Sequence, residues 1–142
     1  MLFNLIVAIC NGGGIGYKNK LPWHYKDDLK FFSKITKGKG NNAIIMGRKT
    51  WDSLPIHPLP NRFNIILSKT IQNVPTSDNI IYLSCIDDVY KFCESKKFDA
   101  CWIIGGNTIY DMYLNEPYIH KIYISEISKF YDCDTFFPKI PE

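Results

Sequence analysis

The chain has 142 residues, of which 46% are hydrophobic, 15% aromatic and 22% charged, with a net charge of +3. That is one domain's worth of chain, able to bury roughly 68–70% of its unfolded surface, and too apolar for a disordered segment. Asn4, Asn11 and Lys18 keep the most apolar region short of the ~20 residues of a membrane span, no secretory leader is evident, and a pI of about 8.5 is too mild to mark a nucleic-acid binder.

Residues 1–10 are almost continuously apolar and lead into Gly12-Gly13-Gly14, predicting a strand buried on both faces and then a mobile loop. Residues 27–37 carry Leu29, Phe32 and Ile35 inward and Lys30, Ser33, Lys34 and Lys37 outward, a helix ended by Gly38 and Gly40. A short strand over 43–46 precedes Gly47 and a short helix over 48–53. Pro55, Pro58 and Pro60 then mark an irregular loop.

Strands are predicted over 63–67 and 80–83. Ile86, Val89, Tyr90 and Cys93 follow at i, i+3, i+4 and i+7, an amphipathic helix. A strand over 100–104 meets the Gly105-Gly106 turn, and Asn107 is a candidate N-cap for a helix carrying Ile109, Met112 and Tyr113. The last clear strand covers 119–127. Alternating strands and crossovers predict one α/β domain over 1–142, built on a mostly parallel sheet. Ligands of such sheets bind at the carboxyl ends of the strands.

The cysteines, Cys10, Cys85, Cys93, Cys101 and Cys133, are odd in number and widely spaced, without a CxxC pair. That argues against zinc or a disulfide framework and for reduced thiols in the cytoplasm, with Cys10 and Cys101 in the core. His24, His57 and His120 share no metal-ligand spacing, so no metal is expected.

Two segments suit phosphate. Gly47-Arg48-Lys49-Thr50 and Gly105-Gly106-Asn107-Thr108 each follow a strand and open a helix, which suggests a diphosphate cofactor; the alternative is two plain αβ connections. Gly12-Gly13-Gly14-Ile15-Gly16 fits neither a Walker loop nor GxGxxG and reads as a flexible lid. Lys and Arg total 17, yet only Arg48 and Arg62 are arginines, the residues that offer a bidentate fork to an anion. Asp28 lies beside Phe31 and Phe32 on its helix, a partly desolvated setting that suits hydrogen bonding to a heterocycle or assisting protonation. The commoner role, favouring the helix N-terminus, stays open for it. Asp27 points elsewhere.

Taken in order, the motifs resemble dihydrofolate reductase over nearly the whole chain. They are Ile6-Val7-Ala8 with Gly14-Ile15-Gly16 and Leu21-Pro22-Trp23; Asp28; residues 45–51; Pro58-Leu59-Pro60-Asn61-Arg62; Ile65-Ile66-Leu67-Ser68; Ile103-Ile104-Gly105-Gly106; and Asp134-Thr135-Phe136-Phe137-Pro138. The resemblance implies a three-layer fold with helices on both sheet faces, and hydride transfer from NADPH to dihydrofolate. It implies that Asp28 holds the pterin amino group and ring N–H, supported by Ser125 and near Trp23. Ile6, Leu29, Phe32, Leu54, Leu59 and Ile104 would wall the folate, and Arg62 would clamp its α-carboxylate. Ala8 and Ile15 would hold the nicotinamide carboxamide through backbone groups, and Gly16 would also bind the cofactor. Gly47, Thr50, Gly105, Gly106, Asn107, Thr108, Ile109 and Tyr110 would line the cofactor, and Arg48, Lys49, Ser68 and Lys69 would surround its 2′-phosphate. A cis peptide between Gly105 and Gly106 is also implied.

Three departures from the family stand out. The family continues past Asp134-Thr135-Phe136-Phe137-Pro138 into an antiparallel hairpin, whereas this sequence stops at Glu142, so the strand over 119–127 is expected at an exposed edge. A natural short form, a truncation and part of a fusion with thymidylate synthase all stay open. Lys69 stands where arginine is common, and His57 where a basic residue often meets the γ-carboxylate. Readings from other classes are a fold-sharing reductase of riboflavin synthesis, a non-catalytic cofactor binder, and a nucleic-acid binder, the last disfavoured because the lysines are dispersed. No membrane association is expected.

Overall fold

The computed structural model describes residues 3–18, 25–54, 58–69, 77–117 and 119–138. Trp23, His24 and His57 lie outside these residues. Twelve elements follow in chain order: β1 (Phe3–Asn11), β2 (Gly14–Gly16), α1 (Lys26–Lys37), β3 (Asn42–Gly47), α2 (Arg48–Ser53), β4 (Phe63–Leu67), β5 (Ile80–Leu83), α3 (Ile86–Lys96), β6 (Ala100–Gly105), α4 (Asn107–Leu114), β7 (Ile119–Phe130) and β8 (Thr135–Phe136).

Six strands form one sheet in the order β5-β4-β3-β6-β1-β7, and every pairing in it is parallel. Parallel strands buried on both faces need apolar residues at every position, and β3, written Asn-Ala-Ile-Ile-Met-Gly, is buried throughout. Alternation divides its neighbours between two cores. Phe3, Leu5 and Val7 of β1 join Val89 and Cys93 of α3 and Ile109 and Tyr113 of α4. Ile6 faces the other side with Met46, Trp51 and Trp102, against which Phe32 and Ile35 of α1 pack. The expected helices on both faces are present. A fully buried isoleucine such as Ile45 contributes enough that truncation to alanine would cost about 2–5 kcal/mol.

Asn42 fastens α1 to the sheet. Its Nδ2 donates to the Thr36 carbonyl at 3.0 Å, and its Oδ1 accepts from the Ala100 N–H at 3.1 Å. Gly38 caps α1 with φ of 51°, and a Cβ there would lie 2.7 Å from Asn42 Nδ2, so both conformation and space call for glycine.

Three expectations need correction. The flexible lid is partly a strand: Gly14–Gly16 pairs antiparallel with β8, and only Gly12 and Gly13 of the glycine run have positive φ. The N-cap of α4 is Gly106, not Asn107, because the Gly106 carbonyl already accepts the Tyr110 N–H at 2.9 Å. Leu29 does not face the core; it is 41% exposed and turns toward the cleft described below. The final strand runs to Phe130 and lies at the sheet edge as expected, paired with β1 alone among the described residues.

Cys10, Cys93 and Cys101 are buried, and none of the five cysteines is in a disulfide. No helix among the described residues is long and apolar enough to cross a membrane.

Candidate active site

The carboxyl ends of β1, β3, β4 and β6 open into one cleft of about 850 Å³, toward the upper end of the usual range for small-molecule sites. Ile6, Val7 and Ala8 of β1 form its floor, with Ile104 of β6 beside them.

One wall is α1 and the end of α2. Asp28, Leu29, Phe31 and Phe32 reach the cleft from α1, and Ser53 and Leu54 from the segment after Trp51. Helical spacing produces this grouping, since positions i, i+3 and i+4 share a side. Asp28 is half-buried among these apolar groups, whereas Asp27 is exposed and outside the lining. Leu29 and Phe31 (46% exposed) are apolar surfaces left uncovered because they face this space. Ser125 of β7 sits opposite Ala8 in the β1–β7 register and also lines the cleft.

The other wall is made by two helix starts. Gly47 caps α2 and Gly106 caps α4, and neither helix has a side-chain cap, so their first amides are not satisfied by a capping side chain. The two starts approach closely. A Cβ on Gly47 would lie 3.0 Å from Ile109 Cγ1, and one on Gly106 would lie 3.4 Å from Thr50 Oγ1. Gly47, Arg48, Lys49, Thr50, Ser68, Gly106, Asn107, Thr108, Ile109 and Tyr110 all face the cleft. The Gly105–Gly106 peptide is cis, as expected. Tyr110 is buried, and its hydroxyl lies 2.8 Å from the carbonyl oxygens of Ile6 and Ile104; burial pushes its pKa well above the ordinary phenol value. Arg48 lies over the Tyr82 ring at 5.9 Å and meets Asp52 at 3.3 Å.

Between these walls Ile15 and Gly16 of β2 cover the cleft with Asp134, Thr135 and Phe136. Asp134 Oδ2 accepts the Lys18 N–H at 3.0 Å, and Thr135 donates to its Oδ1 at 3.0 Å. The Lys18 N–H is the main cause holding this carboxyl below its ordinary pKa. Tyr25, just before α1, joins hydroxyls with Tyr131.

Four expected site residues within the described chain do not line this cleft. Leu59 packs on the core cluster containing Met46 and Ile66, and its backbone is held on both sides by the Asn64 carboxamide. Arg62 is only 6% exposed; it turns beneath α1, donating from Nη1 to Thr36 Oγ1 at 3.1 Å and from Nε to the Pro60 carbonyl at 2.9 Å. Burial lowers its pKa. Lys69 is exposed outside the lining, and Gly105 is buried behind Gly106 against the Tyr110 hydroxyl. Conversely, Val7, Phe31, Ser53, Leu67, Asp134, Thr135 and Phe136 line the cleft without having been assigned to it. Phe31 carried the helical-spacing signal; the segment 134–136 had no local signal beyond the family motif.

No group of three or more His, Cys, Asp or Glu among the described residues could hold a metal. The site offers the Asp28 carboxylate amid apolar surface, Asp134 in the covering wall and, across the cleft, backbone amides with cationic side chains.

A family model described as dihydrofolate reductase matches residues 2–142. The dihydrofolate reductase of Drosophila melanogaster is 40% identical over 147 residues, covering 99% of this chain and 81% of that protein. That of Aedes albopictus is 42% identical, covering 97% and 80%. The bifunctional dihydrofolate reductase-thymidylate synthase of Daucus carota is 34% identical, covering 99% of this chain and 29% of that protein. A match of this extent, over a cleft with an acid on one side and paired helix starts on the other, means that the chain belongs to the dihydrofolate reductase family, enzymes that reduce dihydrofolate to tetrahydrofolate with a nicotinamide cofactor.

Proposed function

We propose that this chain transfers a hydride from NADPH to 7,8-dihydrofolate, giving 5,6,7,8-tetrahydrofolate. The observation that carries the reading is that Asp28 and the paired starts of α2 and α4 line the same cleft. The fit to a dinucleotide rests on Gly47 and Gly106, which let α2 and α4 approach each other and which cap helices whose starts carry no side-chain cap. Thr50 and residues 106–110 would hold the diphosphate, and Ala8 and Ile15 the carboxamide end, with Gly16 beside them. Arg48, Lys49, Ser68 and Lys69 carry the positive charge and hydrogen bonds that a 2′-phosphate needs. A bound nicotinamide supplies the hydride.

The protein's own part is orientation and proton management. Asp28 accepts hydrogen bonds from the pterin amino group and ring N–H, fixing the ring over Ile6 and Ile104 and favouring protonation beside the carbon that is reduced. Ser125 supports Asp28 through its hydroxyl, and Trp23 belongs to the same catalytic group. Leu29, Phe32 and Leu54 exclude water from the folate, and Leu59 backs this wall from the core cluster behind it. Arg62 is a buried cation with no carboxylate partner among the described residues, which suits the α-carboxylate of the glutamate tail. That role requires the guanidinium to be reached from the outer end of the cleft.

A thymidylate synthase, fused in the Daucus carota and Arabidopsis thaliana relatives, is the partner such a product would serve. Five cysteines without a disulfide suit the reducing cytoplasm.

NADPH oxidation with and without dihydrofolate, beside Asp28→Asn, tests the reading. Dihydrofolate-dependent turnover that falls by roughly a hundredfold or more in the variant is expected. Oxidation indifferent to dihydrofolate, in a chain shown to be folded, would overturn it.

A further inference from the structure

Two thiols that the reduction does not use meet behind one wall of the cleft. Cys10 lies near the end of β1 and Cys133 in the segment between β7 and β8, 123 positions apart in sequence, yet their sulfurs are 3.8 Å apart. Cys10 is 4% exposed, and Cys133 is half-buried. Both sulfurs rest on Gly14, where a Cβ would lie 2.3 Å from Cys133 Sγ and 3.0 Å from Cys10 Sγ. The space a side chain would take at Gly14 is filled by the thiols.

The pair sits where a cleft wall joins the main sheet. Gly14 opens β2, and the residues just after Cys133 pair with it: Gly14 faces Phe136, and Gly16 faces Thr135. Ile15, Gly16, Asp134, Thr135 and Phe136 all line the cleft.

We propose that Cys10 and Cys133 form an oxidisable dithiol, which a peroxide or a small-molecule disulfide converts to an intramolecular disulfide that alters the cleft through its β2–β8 wall. Cys133, the more accessible sulfur, reacts first. Its thiolate attacks one peroxide oxygen, the O–O bond breaks, and the departing hydroxide takes a proton to become water, leaving a sulfenic acid. The Cys10 sulfur then attacks the sulfenic sulfur, the S–S bond forms, and the second hydroxide leaves as water with the remaining thiol proton. Two electrons pass from the two sulfurs to the two peroxide oxygens. With a small disulfide as oxidant, exchange through a mixed disulfide at Cys133 releases two small thiols instead.

Bond formation needs the sulfurs to close from 3.8 Å to about 2.05 Å. That approach draws the segment carrying Asp134 toward β1, across Gly14. Misplacement of a site wall by about 1 Å is enough to slow catalysis severely. The second close pair, Cys93 and Cys101, is fully buried in the core, where an oxidant has no access. Cys85 is exposed and is the natural competitor.

The test treats the whole chain with equimolar hydrogen peroxide or with oxidised glutathione, alkylates it, and maps peptides by mass spectrometry without reduction. The intact mass should fall by about 2 Da with Cys10 and Cys133 peptides cross-linked. Dihydrofolate-dependent kcat/KM should fall roughly threefold or more and recover with dithiothreitol. Cys133→Ser and Cys10→Ser should abolish both effects, and Cys85→Ser neither. A glutathione adduct or sulfinic acid at Cys133 or Cys85 without the Cys10 cross-link would overturn the proposal, as would a cross-linked enzyme with unchanged kinetics. The kinetic arm rests on the reductase reading. A reduced chain without turnover would refute that reading, while the mass arm would still decide the disulfide.

Discussion

Tyr110 holds its hydroxyl 2.8 Å from the carbonyl oxygen of Ile6 and at the same distance from that of Ile104. One phenolic proton thus bridges the neighbouring strands β1 and β6 just beyond their last paired residues, Leu5 and Ile103. Its raised pKa keeps the group a donor. Tyr110→Phe retains the ring contact with Phe137 but leaves both carbonyls short of a donor. We expect a loss of about 1–3 kcal/mol in urea unfolding, and a lower kcat from a floor no longer held in register. An unchanged urea midpoint would mean that water takes the hydroxyl's place.

Arg62 is fixed from below by Thr36, whose own hydroxyl donates to the Phe32 carbonyl at 2.7 Å. The guanidinium is therefore oriented before any ligand arrives. Arg62→Lys keeps the charge and loses the fork, so KM for dihydrofolate should rise roughly tenfold or more. A pterin lacking the glutamate tail should be reduced by wild type and variant at similar rates. Equal losses with both substrates would move Arg62 from ligand recognition to structure.

Arg48 and Asp52 form an ion pair at 3.3 Å, with side chains 42% and 58% exposed. Exposed pairs of this kind contribute about 0–1 kcal/mol, so Arg48→Ala should barely alter thermal stability. Its preference for NADPH over NADH should fall about tenfold, a size usual for loss of one charge-assisted contact. Raising the ionic strength should weaken the wild-type preference in the same direction. A preference untouched by both changes would exclude Arg48 from 2′-phosphate recognition.

Asp134 closes the wall over the cleft through the Lys18 N–H and then the Thr135 hydroxyl. Because these donors depress its pKa in the folded protein, the contribution is complete above the ordinary carboxylate pKa of about 3.9. It disappears as pH falls through the lower folded value. Asp134→Ala should reduce kcat/KM at neutral pH, and the ratio of wild type to variant should shrink toward one in acid. Taking the ratio cancels other acid effects. A ratio independent of pH would show that the carboxylate charge is not what holds the wall.

Much of this was legible in sequence because it is local. Apolar runs and helical spacing located the strands, and glycines after β3 and β6 marked both helix starts. Asp28 and Phe32 were recognisable together because a helix repeats its face every three or four residues. What stayed hidden depends on distant partners or on the path of the backbone. Gly14 reads as a flexible glycine until Phe136 pairs with it and Cys133 packs on it. Arg62 reads as a cleft residue until Asn64, buried and bonded to Leu59 and to the Arg62 carbonyl, is seen to set the loop's path. Asn107 has the composition of a cap, but Gly106, with ψ of −149°, already occupies that role. No short window of sequence contains both Gly14 and Cys133, whereas Arg62 with Asn64 and Gly106 with Asn107 are neighbours whose roles only the backbone's path decides.

The strand order also constrains how the enzyme comes into being. β1 holds the first described residues, yet its sheet partners are β6 and β7, around a hundred or more positions later. During synthesis, the floor of the cleft emerges first and waits through most of translation for the two strands that will flank it. Until residues near 125 are made, Ala8 has no Ser125 beside it, and until residues near 136 are made, β2 has no partner. Pairings that span so much chain are slow to form. A nascent chain therefore has the β3–β4 side of the cleft in hand well before β6 and β7 arrive to flank its β1 floor.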